Sequence, residues 1–203
     1  MLIKLYEDKI PTKHLEMAIK SLENDGLLLT PTDTLYAFVA DVHSHKAARL
    51  LADLKGKKLE KSNFSIVCSS LSMASKYIKP LSNNQFSFIK NLNIEQFTFV
   101  LNANNLIPKI FQNKRKTIGI RISRNNVLVS IIEALARPLL ITSVSRQGND
   151  EEIYENAELI YEKYSNVIDM AFDIGEIANI PSTVIDMTNE NDYEIIRQGL
   201  GKI

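Results

Sequence analysis

Short strand-like runs alternate with amphipathic helical stretches along almost the whole chain, and no other feature restricts its fold as strongly. Leu2–Tyr6 is the first strand-like run. Pro11 then suits a helix N-terminus, where a missing N–H costs little. Leu15, Ala18, Ile19 and Leu22 follow at helical spacing, and Gly26 reads as the stop. Leu27–Thr30 and Leu35–Ala40 read as strands on either side of a Pro31–Thr34 turn. Ser44 can cap a helix whose apolar stripe is Ala47, Leu50, Leu51 and Leu54. Phe64–Cys68 is a strand, and Leu71–Lys90 is mainly helical with a break at Pro80. Strands are expected at Gln96–Leu101, Thr117–Ile122 and Pro138–Thr142. Val127, Leu128, Ile131, Ile132 and Leu135 form one further helical stripe, and Ile153, Ala157, Ile160, Tyr161 and Tyr164 another. Val167–Phe172, Thr183–Met187 and Tyr193–Ile196 are the last strands.

This alternation argues for an α/β layered fold, with residues 1–203 as one domain because no linker demands a boundary. The strand-rich C-terminal third argues for a mixed sheet. Apolar residues make up 45% of the chain, enough to build a core. Lys plus Arg and Asp plus Glu both number 24, so the basic excess usual in nucleic-acid-binding proteins is missing. A single cysteine, Cys68, forbids an internal disulfide and fits a reducing compartment. Met1–Asp8 lacks the features of a signal peptide, and no run reaches about 18 apolar residues, so a cytoplasmic setting without a membrane partner is expected.

Five segments carry groups suited to chemistry. Thr30–Tyr36 places hydroxyls and a carboxylate where the backbone must turn, which suits either a polar ligand or a plain Ser/Thr turn. Lys55-Gly56-Lys57-Lys58 ends a helix, and its ammonium groups could hold phosphate or merely complement the helix dipole. Arg121, late in the strand Thr117–Ile122, could grip a carboxylate in a cleft or sit at a solvated edge. Ile141–Gly148 follows a strand and precedes a helix, a natural anion site or an ordinary polar loop. Ser182 and Thr183 open one strand and Arg197 closes the next, so pairing of the two would bring hydroxyls and guanidinium together.

Other classes are set aside. The sequence has no Walker-type phosphate loop and no Gly-x-Gly-x-x-Gly after a strand. His14, His43 and His45 lack the Cys/His partners of a metal site. Cys68 lies in an apolar run and reads as core. Lys114-Arg115-Lys116 reads as a solvated charge run that could also touch RNA.

In order and spacing these segments resemble the YrdC-type threonylcarbamoyl-AMP synthase family. Pro31-Thr32-Asp33-Thr34-Leu35-Tyr36 resembles its Pro-Thr-Glu/Asp-Thr-x-Tyr, and Lys55-Gly56-Lys57 stands at its Lys-x-Arg. Phe97–Leu101 resembles its Leu-Thr-Leu-Val-Leu, and Thr117–Arg121 its Val-x-Val-Arg. Ser143-Val144-Ser145 stands at its Ser-x-Asn, Ser182–Asp186 resembles Ser-Thr-Val-Val-Asp, and Ile196–Gly199 resembles Leu-Arg-x-Gly. Ala37–His43 and Lys114–Arg121 are similar to the YciO-like branch.

The resemblance implies a twisted mixed parallel/antiparallel sheet with flanking helices and a concave ligand-binding face. It implies a nucleotidyltransferase that converts L-threonine, bicarbonate and ATP to threonylcarbamoyl-AMP and pyrophosphate, a step in tRNA threonylcarbamoyladenosine modification. ATP with Mg2+ enters as substrate, with no tightly bound metal. Lys55, Lys57, Ser143 and Ser145 would be catalytic. Lys55, Thr117, Ser143 and Arg197 would bind ATP, and Thr34, Arg121 and Ser182 would bind threonine. Lysine at 57 and serine at 145 depart from the family's arginine and asparagine, which weakens or redirects the implied activity. The alternative is a non-catalytic nucleotide- or double-stranded-RNA-binding protein on the same fold, with tRNA or double-stranded RNA as partner.

Overall fold

The computed structural model describes residues 1–6, 9–108, 116–144, 155–177, 180–190 and 192–203. Within them the strands are β1 (Leu2–Lys4), β2 (Leu28–Thr30), β3 (Ala37–Asp41), β4 (Ser65–Cys68), β5 (Phe97–Asn102), β6 (Thr117–Ile122), β7 (Leu139–Ser143), β8 (Met170–Asp173), β9 (Thr183–Asn189) and β10 (Asp192–Arg197). The helices are α1 (Thr12–Glu23), α2 (His45–Leu54), α3 (Leu71–Ser75), α4 (Asn83–Lys90), α5 (Asn126–Leu135) and α6 (Ala157–Tyr164). All ten strands join one sheet in the order β1-β8-β2-β3-β7-β4-β6-β5-β9-β10.

The sheet is mixed, as the sequence argues, but its antiparallel pairing is not confined to the C-terminal third. β2 with β3, β3 with β7, β4 with β7 and β5 with β6 are all antiparallel. β4 with β6 and β5 with β9 are parallel. The N-terminal hairpin and the long return of β7 between β3 and β4 account for the difference.

Period-two alternation decides which side chain meets which layer. Phe38 and Ala40 of β3, Ile66 and Cys68 of β4 and Ile118 and Ile120 of β6 pack into one core with α2, α3, α4 and α6. Val39, Val67, Leu139 and Ile141 face the other way, into a core formed with Ala18 and Leu22 of α1 and Val127, Leu128, Ile131, Ile132 and Leu135 of α5. Ser44 accepts from Ala47 N at 2.9 Å and caps α2. α2 ends at Lys55, and Gly56 takes the left-handed conformation with φ +62°.

Two sequence readings need correction. The chain turns out of α1 in the left-handed conformation at Asp25, φ 65°, rather than at Gly26. Asp25 Oδ1 accepts from Ser44 Oγ at 2.6 Å, which holds that turn. Gly26 is required by closeness instead, because a Cβ there would lie 2.1 Å from Asp169 Oδ2 and from Ser21 Oγ. The strand expected from Val167 begins at Met170, since Val167 N and Ile168 N are bonded to Tyr164 O at the end of α6. Ile153, expected in the same helical stretch as Ala157, lies outside the described residues.

Candidate functional site

α1 and α5 cover only part of their face of the sheet. Beyond Ile141 the same face carries a cavity of about 640 Å3, floored by β4, β6, β5, β9 and β10. Alternation explains its lining. In β6 the isoleucines pack in the core, while Thr117, Gly119 and Arg121 line the cavity, which Ile118 also borders. In β5 Phe97, Phe99 and Leu101 are core, while Thr98 and Val100 line the cavity. In β9 Ile185 and Met187 are core, while Val184 and Asp186 line it. Lys55, Asn63, Ser65, Thr142, Ser143, Ser182 and Arg197 complete its polar wall.

Arg121 sits within β6 opposite Val67 and is buried, at 8% exposure, so the solvated-edge alternative is removed. Its Nη2 donates to Thr34 Oγ1 at 2.9 Å. Burial, with Arg197 nearby, lowers its pKa to about 10 against the opposing pull of Asp33, so it stays charged at neutral pH.

The turn that presents Thr34 is built by its neighbours. Thr32 Oγ1 accepts from Thr34 N and Leu35 N, both at 3.1 Å, and donates to Leu35 O at 2.7 Å. Thr34 Oγ1 lies 3.2 Å from Thr32 Oγ1 and accepts from Arg121 Nη2. Asp33 accepts from Ser123 Oγ at 2.7 Å and from Arg124 N at 2.9 Å, tying the turn to the segment after β6. The Thr30–Tyr36 segment is thus both a Ser/Thr turn and the support of a buried cation.

Ser182 and Arg197 meet because β9 pairs with β10. Arg197 donates to Ser182 O from Nη2 at 2.8 Å and from Nε at 3.2 Å, and Nη2 reaches Ser182 Oγ at 3.3 Å. Ser182 Oγ lies 2.8 Å from Thr98 Oγ1, with both side chains buried. Burial lowers the pKa of Arg197. Burial, then repulsion from Lys57 and Arg197, lowers that of Lys55, whose ammonium lies 5.9 Å from the centre of the Phe64 ring.

Of the residues singled out in the sequence, Lys55, Thr117, Arg121, Ser143, Ser182 and Arg197 line this cavity. Thr34 stands behind Arg121 as its hydrogen-bond partner. Lys57 is exposed and does not line the cavity. Ser145 lies outside the described residues, as do Lys114 and Arg115. Thr98, Asn63, Ser65 and Asp186 line the cavity without having been assigned a role. A hydroxyl between two phenylalanines in Phe97-Thr98-Phe99 was the available signal for the first. Cys68 is buried and its thiol is pushed up to about 12, in keeping with core. Among the described residues no cluster of His, Cys, Asp and Glu could hold a metal, and no helix is long and apolar enough to cross a membrane.

Comparison with known proteins places this architecture. The Escherichia coli protein YciO is 28% identical over 98% of this chain and 95% of its own length. Its crystal structure superposes with a TM-score of 0.90, covering 100% of this chain and 97% of that one. A Wigglesworthia glossinidia brevipalpis protein named threonylcarbamoyl-AMP synthase is 27% identical over 92% of this chain and 94% of its own. P. abyssi Sua5, solved in complex with L-threonine, shares the fold at a TM-score of 0.85 and 22% identity, over 98% of this chain and 57% of that one. The family of Sua5, YciO and YrdC, described as telomere recombination, matches residues 20–199. The chain belongs to the Sua5/YciO/YrdC family, on its YciO-like branch.

Proposed function

We propose that the chain is a nucleotidyltransferase of the threonylcarbamoyl-AMP synthase type, acting on L-threonine, bicarbonate and ATP. The observation that carries this reading is the charge of one cavity. Lys55, Arg121 and Arg197 line it, and Asp186 is its one carboxylate among the described residues. Burial works against the charged form of all three cations. A cavity of desolvated cations suits an anionic ligand, whose charge offsets that cost. The relative named as a synthase and the fold neighbour solved with threonine supply the substrate class.

In this reading Arg121 takes the threonine carboxylate, with Thr34 fixing one of its N–H groups. The amine nitrogen of threonine adds to the carbon of bicarbonate with loss of water, giving a carbamate. A carbamate oxygen then attacks the α-phosphorus of ATP. The bond from that phosphorus to the β-phosphate bridge breaks, and pyrophosphate leaves with the electron pair. Such a displacement needs alignment and charge neutralisation more than a covalent catalyst. Lys55 and Arg197 neutralise the phosphates, while Thr117 and Ser143 offer hydroxyl donors. Mg2+ would enter with ATP as part of the substrate, and Asp186, whose Oδ1 accepts from Thr188 N and Oγ1, is the carboxylate nearest to hand in the cavity wall among the described residues.

A second reading, nucleotide or RNA binding without turnover, is favoured by the exposed position of Lys57 outside the cavity. Radiolabelled bicarbonate separates the two. Supplied with ATP and threonine, it should yield a labelled adenylate that disappears when threonine is omitted. ATP binding without any labelled nucleotide would favour the second reading.

A further inference from the structure

We propose that Thr183 is a positioning residue that sets the Arg197 guanidinium in the cavity by holding the chain after β10, an assignment that rests on the reading of Arg197 as a phosphate-binding group. Thr183 stands between Ser182 and Val184, both of which line the cavity. Its own side chain takes the opposite face of β9, in the pair with Phe97, and is fully buried. From that face it touches no cavity ligand, so its influence on the site runs through the backbone.

The ladder is irregular where Arg197 sits. The register of β10 on β9 shifts between Ile195 and Arg197, which leaves Ile196 as an extra residue and bends the strand end. Beyond Arg197 the chain folds back over the start of β9. Leu200 N donates to Pro181 O at 2.8 Å, and Gly199 lies so close that a Cβ would stand 2.1 Å from the same oxygen. Thr183 Oγ1 is the hub of this return. It accepts from Gly199 N at 2.9 Å and from Gln198 Nε2 at 3.3 Å, and it donates to Gly201 O at 2.7 Å. One donor and two acceptors use the hydroxyl completely. Arg197 immediately precedes this held segment, and its Nη2 and Nε donate to Ser182 O, next in chain to Thr183. The guanidinium is thus aimed by its own bonds to Ser182 O and by the fixed backbone behind it. Without the hydroxyl, Gly199 N loses its partner and the end of β10 can shift away from Ser182.

A double-mutant cycle on ATP binding, read by calorimetry, tests the assignment. Thr183→Val keeps the shape and removes the hydroxyl. It should weaken ATP binding by about fivefold or more in the wild-type background, and by less than about twofold in Arg197→Met, where no guanidinium is left to place. Thr183→Ser, which keeps the donor and both acceptors, should bind ATP within about twofold of wild type. Gln198 is exposed, and Gln198→Met removes the Nε2 bonds to Thr183 and Gly201, so it carries the test if Thr183→Val does not fold. Its loss should be about threefold in the wild-type background and absent in Arg197→Met. Equal losses in the two backgrounds, from either variant, would mean that the hydroxyl acts on the fold alone and would overturn the assignment. Unchanged ATP affinity in Thr183→Val would overturn it too, as would a Thr183→Ser that binds ATP as poorly as the valine variant. All three results leave the phosphate reading of Arg197 standing. An Arg197→Met variant that binds ATP like wild type, or a wild type that binds none, would overturn both.

Discussion

Arg121 Nη2 donates to Thr34 Oγ1 across 2.9 Å, linking two buried residues 87 positions apart. The bond holds one edge of a guanidinium that burial makes costly to charge. Thr34→Val keeps the shape and strands that N–H. Stability should fall by about 1–3 kcal/mol, read from the urea midpoint. Arg121→Lys keeps the charge but loses the planar fork, and threonine affinity measured by calorimetry should drop by about tenfold or more.

Asp33 acts on the same pair from outside. It fixes the turn through Ser123 and Arg124 and opposes the cost of burying Arg121. Asp33→Asn retains an acceptor but removes the charge. It should cost about 1–2 kcal/mol of stability. Threonine affinity should fall with little change in ATP affinity, and calorimetry with each ligand separates the two effects.

Lys55 and Lys57 should behave differently although two positions separate them. Lys55 lines the cavity and is half-buried, whereas Lys57 is exposed. Lys55→Met should weaken ATP binding by about tenfold or more, as expected for a lost charge-assisted contact, and Lys57→Met by no more than about threefold. Removing a desolvated cation should also raise the Tm of Lys55→Met. The pH dependence has a definite sign. The folded-state pKa of Lys55 lies below the ordinary 10.5, so the unfolded chain binds the proton more tightly. As pH rises between those two values, the Lys55 contribution to stability becomes more favourable. ATP affinity falls over the same interval, because the ammonium is being lost.

Cys68 provides a check on the core. Its thiol is buried and pushed up to about 12. Alkylation of the native protein at pH 8 should be slow and should rise sharply across the urea unfolding transition. Rapid labelling of the folded protein would contradict its place in the core.

Much of this was legible locally. The alternation of Thr117, Gly119 and Arg121 with three isoleucines is written in one strand, and so are the cap at Ser44 and the stop at Gly56. What Arg121 faces was not legible, because β6 lies between β4 and β5 through contacts distant in sequence. Thr98 was passed over for the same reason: its partner Ser182 is 84 residues away. Asp25 rather than Gly26 takes the left-handed turn because Ser44, 19 residues on, supplies its partner. Lys57 follows Lys55 closely in sequence, yet the turn at Gly56 leaves only Lys55 in the cavity wall.

The central claim, adenylation driven by threonine in this cavity, is tested most directly by pyrophosphate release from ATP and bicarbonate with and without L-threonine, in wild type and in Arg121→Lys. The account predicts slow release that depends on threonine and that, at subsaturating threonine, falls about tenfold or more in the variant. Release at the same rate without threonine, or none from a folded protein that binds ATP, would contradict it.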